Sequence, residues 1–130
     1  GQRRSVQIET NGMFDCGAII PQLATIVLSP KTAKINKNTA RLAHCYKYVV
    51  QAGDVADDGL PIHALGHPVP DGQTIARPPV GWRGMTYVQP ADEKDDMLNA
   101  ANMATAVASV MQRPLERNLC IQMHKYANLA

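Results

Sequence analysis

The sequence predicts a single α+β domain over residues 1–130, with mainly strands and loops in residues 1–90 and two helices in residues 91–130. Three observations lead there. Residues 5–10 alternate with the two-residue period of a half-buried strand, and Asn11-Gly12 follows as a short-range hairpin signal. Between residues 97 and 112 the polar side chains are Asn99, Asn102, Thr105, Ser109 and Gln112, one narrow stripe on a 3.6-residue period. Pro114 then ends that helix and suits the first turn of the next.

Taken in order, the first strand puts Val6 and Ile8 on one face, and its return strand across Met13 to Ala18 is short and irregular. Residues 24–29 read as a second strand, closed by Pro30. Asn36-Lys37-Asn38 reads as a turn. Residues 40–51 form the longest strand candidate. One face would carry Arg41, Ala43, Cys45, Lys47 and Val49, and the other Leu42, His44, Tyr46, Tyr48 and Val50. Residues 51–74 have no periodicity and hold glycines, prolines and acids, the composition of a long functional loop. A further strand over residues 80–89 starts after Pro78-Pro79, since a proline pair does not fit mid-sheet.

The helix over residues 92–112 opens with Asp92, Glu93, Asp95 and Asp96, which suit the positive end of its dipole. Outside its polar stripe it is apolar and mostly small, so it requires burial on nearly every side. A second subunit is the simplest source of that surface, and an obligate homodimer is expected. The final helix repeats Leu115, Leu119, Met123 and Tyr126 on one face.

Composition narrows the function classes. No apolar run approaches the ~18 residues that span a bilayer, so no membrane partner is expected. No apolar h-region follows Gly1-Gln2-Arg3-Arg4-Ser5, so no signal peptide is expected. Three scattered cysteines, Cys16, Cys45 and Cys120, suggest neither a disulfide framework nor a zinc knuckle. Charge is uneven: residues 1–50 carry 7 − 2 = +5, residues 51–96 carry 3 − 8 = −5, and residues 97–130 carry 3 − 1 = +2. A basic first half suits a phosphate backbone, or a solvated sheet face on which lysines discourage edge pairing.

Catalytic motifs are absent. There is no phosphate-binding glycine loop, no G-x-S-x-G elbow and no H-E-x-x-H. His63 and His67 have helical metal spacing, but Gly66 and Pro68 make that segment a loop. His44 and Cys45, adjacent on a strand, point to opposite faces and do not pair as base and nucleophile. No metal, cofactor or small-molecule substrate is called for. What remains is a set of cations and one aromatic on extended chain: Arg41, Lys47, Arg83 and Tyr87, with Lys31, Lys34 and Lys37 nearby. Cations neutralise phosphates and tyrosine stacks on unpaired bases, worth roughly 1–3 kcal/mol per base. The alternative for Tyr87 is a half-buried strand aromatic.

Pro79-Val80-Gly81-Trp82-Arg83 opening a strand, with two helices closing the chain, resembles the coat proteins of single-stranded RNA bacteriophages. Cys45-Tyr46-Lys47-Tyr48-Val49-Val50 is similar to that family's basic RNA-facing strand. The resemblance runs from about residue 40 to the end, and Met85 and Tyr87 depart from the family's RNA contacts. It implies an antiparallel sheet followed by two C-terminal helices, interlocked as a homodimer. It implies a capsid subunit, not an enzyme, that assembles into an icosahedral shell in a virion after assembly in the bacterial host cytoplasm. Single-stranded RNA would lie on the inner sheet face at Arg41, Lys47, Arg83 and Tyr87, in part as a translational-operator hairpin. Two rivals stand beside it: a small dimeric enzyme with an interface site using His44, His63 or His67, and a non-viral nucleic-acid-binding module.

Overall fold

The computed structural model describes residues 6–17 and 24–121. Five strands and two helices follow one another as β1 (Val6–Thr10), β2 (Ala24–Leu28), α1 (Lys37–Leu42), β3 (Cys45–Val50), β4 (Met85–Pro90), α2 (Asp96–Gln112) and β5 (Arg117–Leu119). The sheet order is β1-β2-β3-β4-β5, and every neighbouring pair is parallel.

This corrects the antiparallel sheet. Asn11-Gly12 is a turn, with Gly12 at φ +83°, but it does not return the chain beside β1. Instead Asn36 N–H donates to Gly12 O, and Cys16 N–H donates to Thr39 Oγ1 at 2.8 Å, so the segment runs across to α1. Each strand is followed by a connection long enough for the crossover that parallel pairing demands: residues 11–23, 29–44, 51–84 and 91–116. Strand alternation carries no information on direction, and the hairpin signal supplied the wrong one.

Three element boundaries also differ from expectation. Residues 37–42 form a helix rather than the start of the long strand. Asn36 Oδ1 accepts from the N–H groups of Asn38 and Thr39, which makes the expected turn an N-cap. The strand expected over residues 80–89 begins only at Met85. Before it, Trp82 Nε1–H donates to Ala43 O at 3.0 Å, and its ring meets Tyr46 edge-on at 4.7 Å. Gly84 is required there, since a Cβ would meet the Trp82 ring and His44 O. After Pro114 the chain turns into β5, not into a second helix; residues 122–130 of that expected helix lie outside the described residues.

The face of the sheet that carries Ile26, Leu28, Tyr46, Tyr48, Val50 and Val88 is closed. Leu60 and Ile75 from the long connection and Ala106 from α2 pack into the same cluster, and α2 lies on β4, β5 and β3. That connection is ordered by a clamp. Arg77 donates to Asp58 through Nε (2.8 Å) and Nη2 (3.2 Å), and to the carbonyls of Leu60, Pro61 and Ile75. Burial works against the Asp58 charge, but the Arg77 fork and the Leu60 N–H outweigh it and hold the carboxyl below its ordinary range. Desolvation pushes the Tyr46 phenol up to about 12, and it raises that of Tyr48 further.

Helix α2 turns the middle of its polar stripe inward: Asn102 is 1% exposed and Ser109 is likewise buried, Asn99 and Thr105 are half-buried, and Gln112 is exposed. Asn102 accepts from Ala52 N–H (2.8 Å) and donates to Ala91 O (3.1 Å) and Glu93 Oε2 (2.7 Å). Asn99 exchanges bonds with the Glu93 backbone, and Asp95 caps the helix through Met97 and Leu98 N–H. The stripe therefore stitches the ends of β3 and β4 to the helix, satisfying backbone groups that would otherwise be buried unpaired. The outward face is apolar, with Met97 84% and Val107 43% exposed, so the nearly complete burial expected of this helix is not supplied by the described residues. No helix among them is long and apolar enough to cross a membrane.

Candidate active site at the carboxyl ends of the strands

Parallel sheets are normally covered on both faces. Among the described residues, one face is covered and the other is half open. Strand register puts Glu9, Val27, Cys45 and Met85 in one row across that second face. Lys47, Tyr87 and Asn118 form the next row, and Val49 and Gln89 the row beyond. In a parallel sheet, catalytic and binding groups gather at the carboxyl ends of the strands, where the loops open.

A cavity of about 410 Å³ lies at that end, lined among others by Glu9, Asn11, Ser29, Lys31, Lys47 and Gln89. These residues come from β1, β3 and β4 and from the turns that follow β1 and β2. Lys47 Nζ sits 3.9 Å from Glu9 Oε1, a loose pair with both side chains partly in solvent, worth no more than ~1 kcal/mol to stability. Gln89 is buried, and the Cys120 thiol approaches its Oε1 at 3.8 Å. Burial raises the Cys45 thiol above its ordinary range, and Glu9 adds to that while Lys47 opposes it, so Cys45 rests as a neutral thiol at neutral pH. A cation, a carboxylate and an amide around one hollow can grip a planar, polar, anionic small molecule.

The four residues expected to bind RNA are not gathered in one place. Lys47 and Tyr87 are direct cross-strand neighbours on the open face. Arg41 lies on α1, where Nη2 donates to Asn38 Oδ1 at 2.9 Å, beside Lys34 and Lys37. Arg83 is exposed in the turn before β4, at the opposite end of the sheet. The histidines are also dispersed. His44 Nδ1 accepts from Ile26 N–H at 2.9 Å and ties β2 to β3. His63 Nδ1 meets Asp54 Oδ1 at 2.7 Å, and His67 closes a bridge with Ala64. Among the described residues, no three His, Cys, Asp or Glu side chains group as a metal site. Sequence reasoning missed Glu9, Asn11, Ser29 and Gln89; their common signal is a polar residue at or just past the end of a strand.

No protein-family model matches the chain, and no solved structure matches it. The chain is similar to 7-carboxy-7-deazaguanine synthase of Rhodospirillum rubrum, with 32% identity over 131 residues. The alignment covers 96% of this chain and 54% of the synthase, so the chain spans about half the length of that relative. This overturns the resemblance to phage coat proteins: the relative is a named enzyme, not a capsid subunit. The expectations of a structural shell protein, of no enzyme and of a virion location fall with it. The all-parallel sheet removes the architectural ground for them as well. Of the rival readings, a small enzyme fits better.

Proposed function

We propose that this chain forms the part of a 7-carboxy-7-deazaguanine synthase that holds the deazaguanine ring, with the cavity at the carboxyl ends of β1–β4 as its site. One observation carries the reading: the residues at that cavity match, group by group, what the product's name requires. A guanine-type ring presents N–H groups along one edge, which a carboxylate such as Glu9 accepts. The added carboxylate calls for a cation, and Lys47 and Lys31 stand on the same hollow. Gln89, Asn11 and Ser29 supply the neutral donors and acceptors that orient such a ring.

A chimera tests this. The present chain replaces the matching segment of the Rhodospirillum rubrum enzyme, and formation of 7-carboxy-7-deazaguanine is followed chromatographically. Product formation by the chimera is the expected result. A folded chimera that binds neither product nor substrate and forms none would overturn the reading.

A further inference from the structure

A second cavity, of about 650 Å³, opens at the other end of the sheet, below the starts of β4 and β5. Its wall includes four arginines (Arg77, Arg83, Arg113 and Arg117) and two acids (Asp58 and Glu116), a balance of 4 − 2 = +2. We propose that this cavity binds the phosphate group of a small organic phosphate ester, with Arg117 at its floor and Arg83 and Arg113 at its rim.

Arg117 is the reason. It is only 4% exposed, held by its place on β5 opposite Thr86. Its Nη1 donates to Ser109 O at 2.9 Å and to Ser109 Oγ at 3.3 Å, satisfying a carbonyl in the last turn of α2. A guanidinium has five N–H donors, and among the described residues Nε and Nη2 have no hydrogen-bond acceptor. Native structures rarely bury such donors without a partner, and one so placed at a cavity wall is a standing demand for an acceptor. Gly59 fixes the arrangement from the other side. It adopts φ +81°, and a Cβ there would come within 3.0 Å of both Arg117 Nη1 and Gln112 Nε2.

The two acids do not meet this demand by hydrogen bonding. Asp58 is engaged by the Arg77 fork and by Leu60 N–H, and it reaches Arg117 only through space. Glu116 makes one exposed contact with Arg113 at 3.4 Å. A tetrahedral oxyanion offers acceptors in several directions at once, so one group can meet guanidinium forks that approach from different sides. The volume lies in the range of small-ligand pockets and exceeds what a bare phosphate fills, so the ester's organic body is part of the assignment. The site is independent of the proposed synthase activity, because it lies at the opposite end of the strands.

Binding is read by thermal unfolding and by phosphorus NMR, with inorganic phosphate and phenyl phosphate each set against chloride at equal ionic strength. The expected result is a saturable rise in Tm with both phosphates, and at least tenfold tighter binding of phenyl phosphate. The double variant Arg83→Gln/Arg113→Gln, on exposed positions that leave the core untouched, weakens both at least tenfold. Arg117→Gln abolishes both. A shift no greater than that given by chloride, or one unchanged in the double variant, would overturn the site. Equal affinity for the two phosphates would overturn the assignment of an organic ester.

Discussion

Tyr46 and Lys47 are neighbours on β3, yet they belong to two different chemistries. Tyr46 enters a closed face of apolar and aromatic side chains, its hydroxyl donating to Ala40 O at 3.0 Å. Lys47 enters an open face where, among the described residues, its only ion pair is a loose one with Glu9. A related contrast appears around α2, whose buried side mixes Asn102 and Ser109 with Ala106 and whose exposed side is apolar. On the closed sheet face burial follows hydropathy, whereas on α2 Asn102 and Ser109 are buried because each is paired. The closed sheet face supplies stability, while the open one is left with charges available to a ligand.

Four substitutions test that contrast. Tyr46→Ala has the largest effect, a loss of ~3–5 kcal/mol in urea unfolding, from the cavity it leaves beside Trp82 and Tyr48. Asn102→Ala follows at ~2–3 kcal/mol, because it strands Ala52 N–H and Ala91 O in a buried seam. A smaller loss would mean that those groups find water and that the seam is not structural. Lys47→Met keeps the stem and removes the charge. It shifts stability by less than ~1 kcal/mol, while binding of 7-carboxy-7-deazaguanine, measured by calorimetry, weakens about tenfold or more through a lost charge-assisted bond. Unaltered binding would move the carboxylate contact elsewhere, Lys31 being the next cation on that hollow. Val107→Asp is the smallest, within ~0.5 kcal/mol, because it changes an exposed position on the outer face of α2. A loss of several kcal/mol there would show that another surface covers that face.

Much of the local structure was legible. The alternation in residues 6–10 and 45–50 and the run at residues 24–28 are strands as read, because period two survives whatever the partner strand. The end of α2 at Gln112 was legible from its stripe, but its start was read four residues early: Asp92 and Glu93 precede the helix, Asp95 is its N-cap, and of the four acids only Asp96 stands in the first turn. The short elements were not. α1 has six residues and β5 has three, too few for either period to accumulate a signal. The candidate site was legible only in its cations: Lys47 and Lys31 were singled out as expected phosphate contacts, whereas Glu9, Ser29 and Gln89 sit far apart in sequence and become neighbours only through the register of the parallel strands.

The sequence by itself determined where most strands lie, where the long helix runs and which of its residues are polar, since those follow from backbone period and capping within a few residues of each position. Only the tertiary structure decided that the strands run parallel, that the middle of the polar stripe of α2 points inward, and that two cavities open at the two ends of one sheet. Each of those depends on which backbone donors and acceptors, distant along the chain, are left needing a partner once the crossovers close, and a local pattern does not record that.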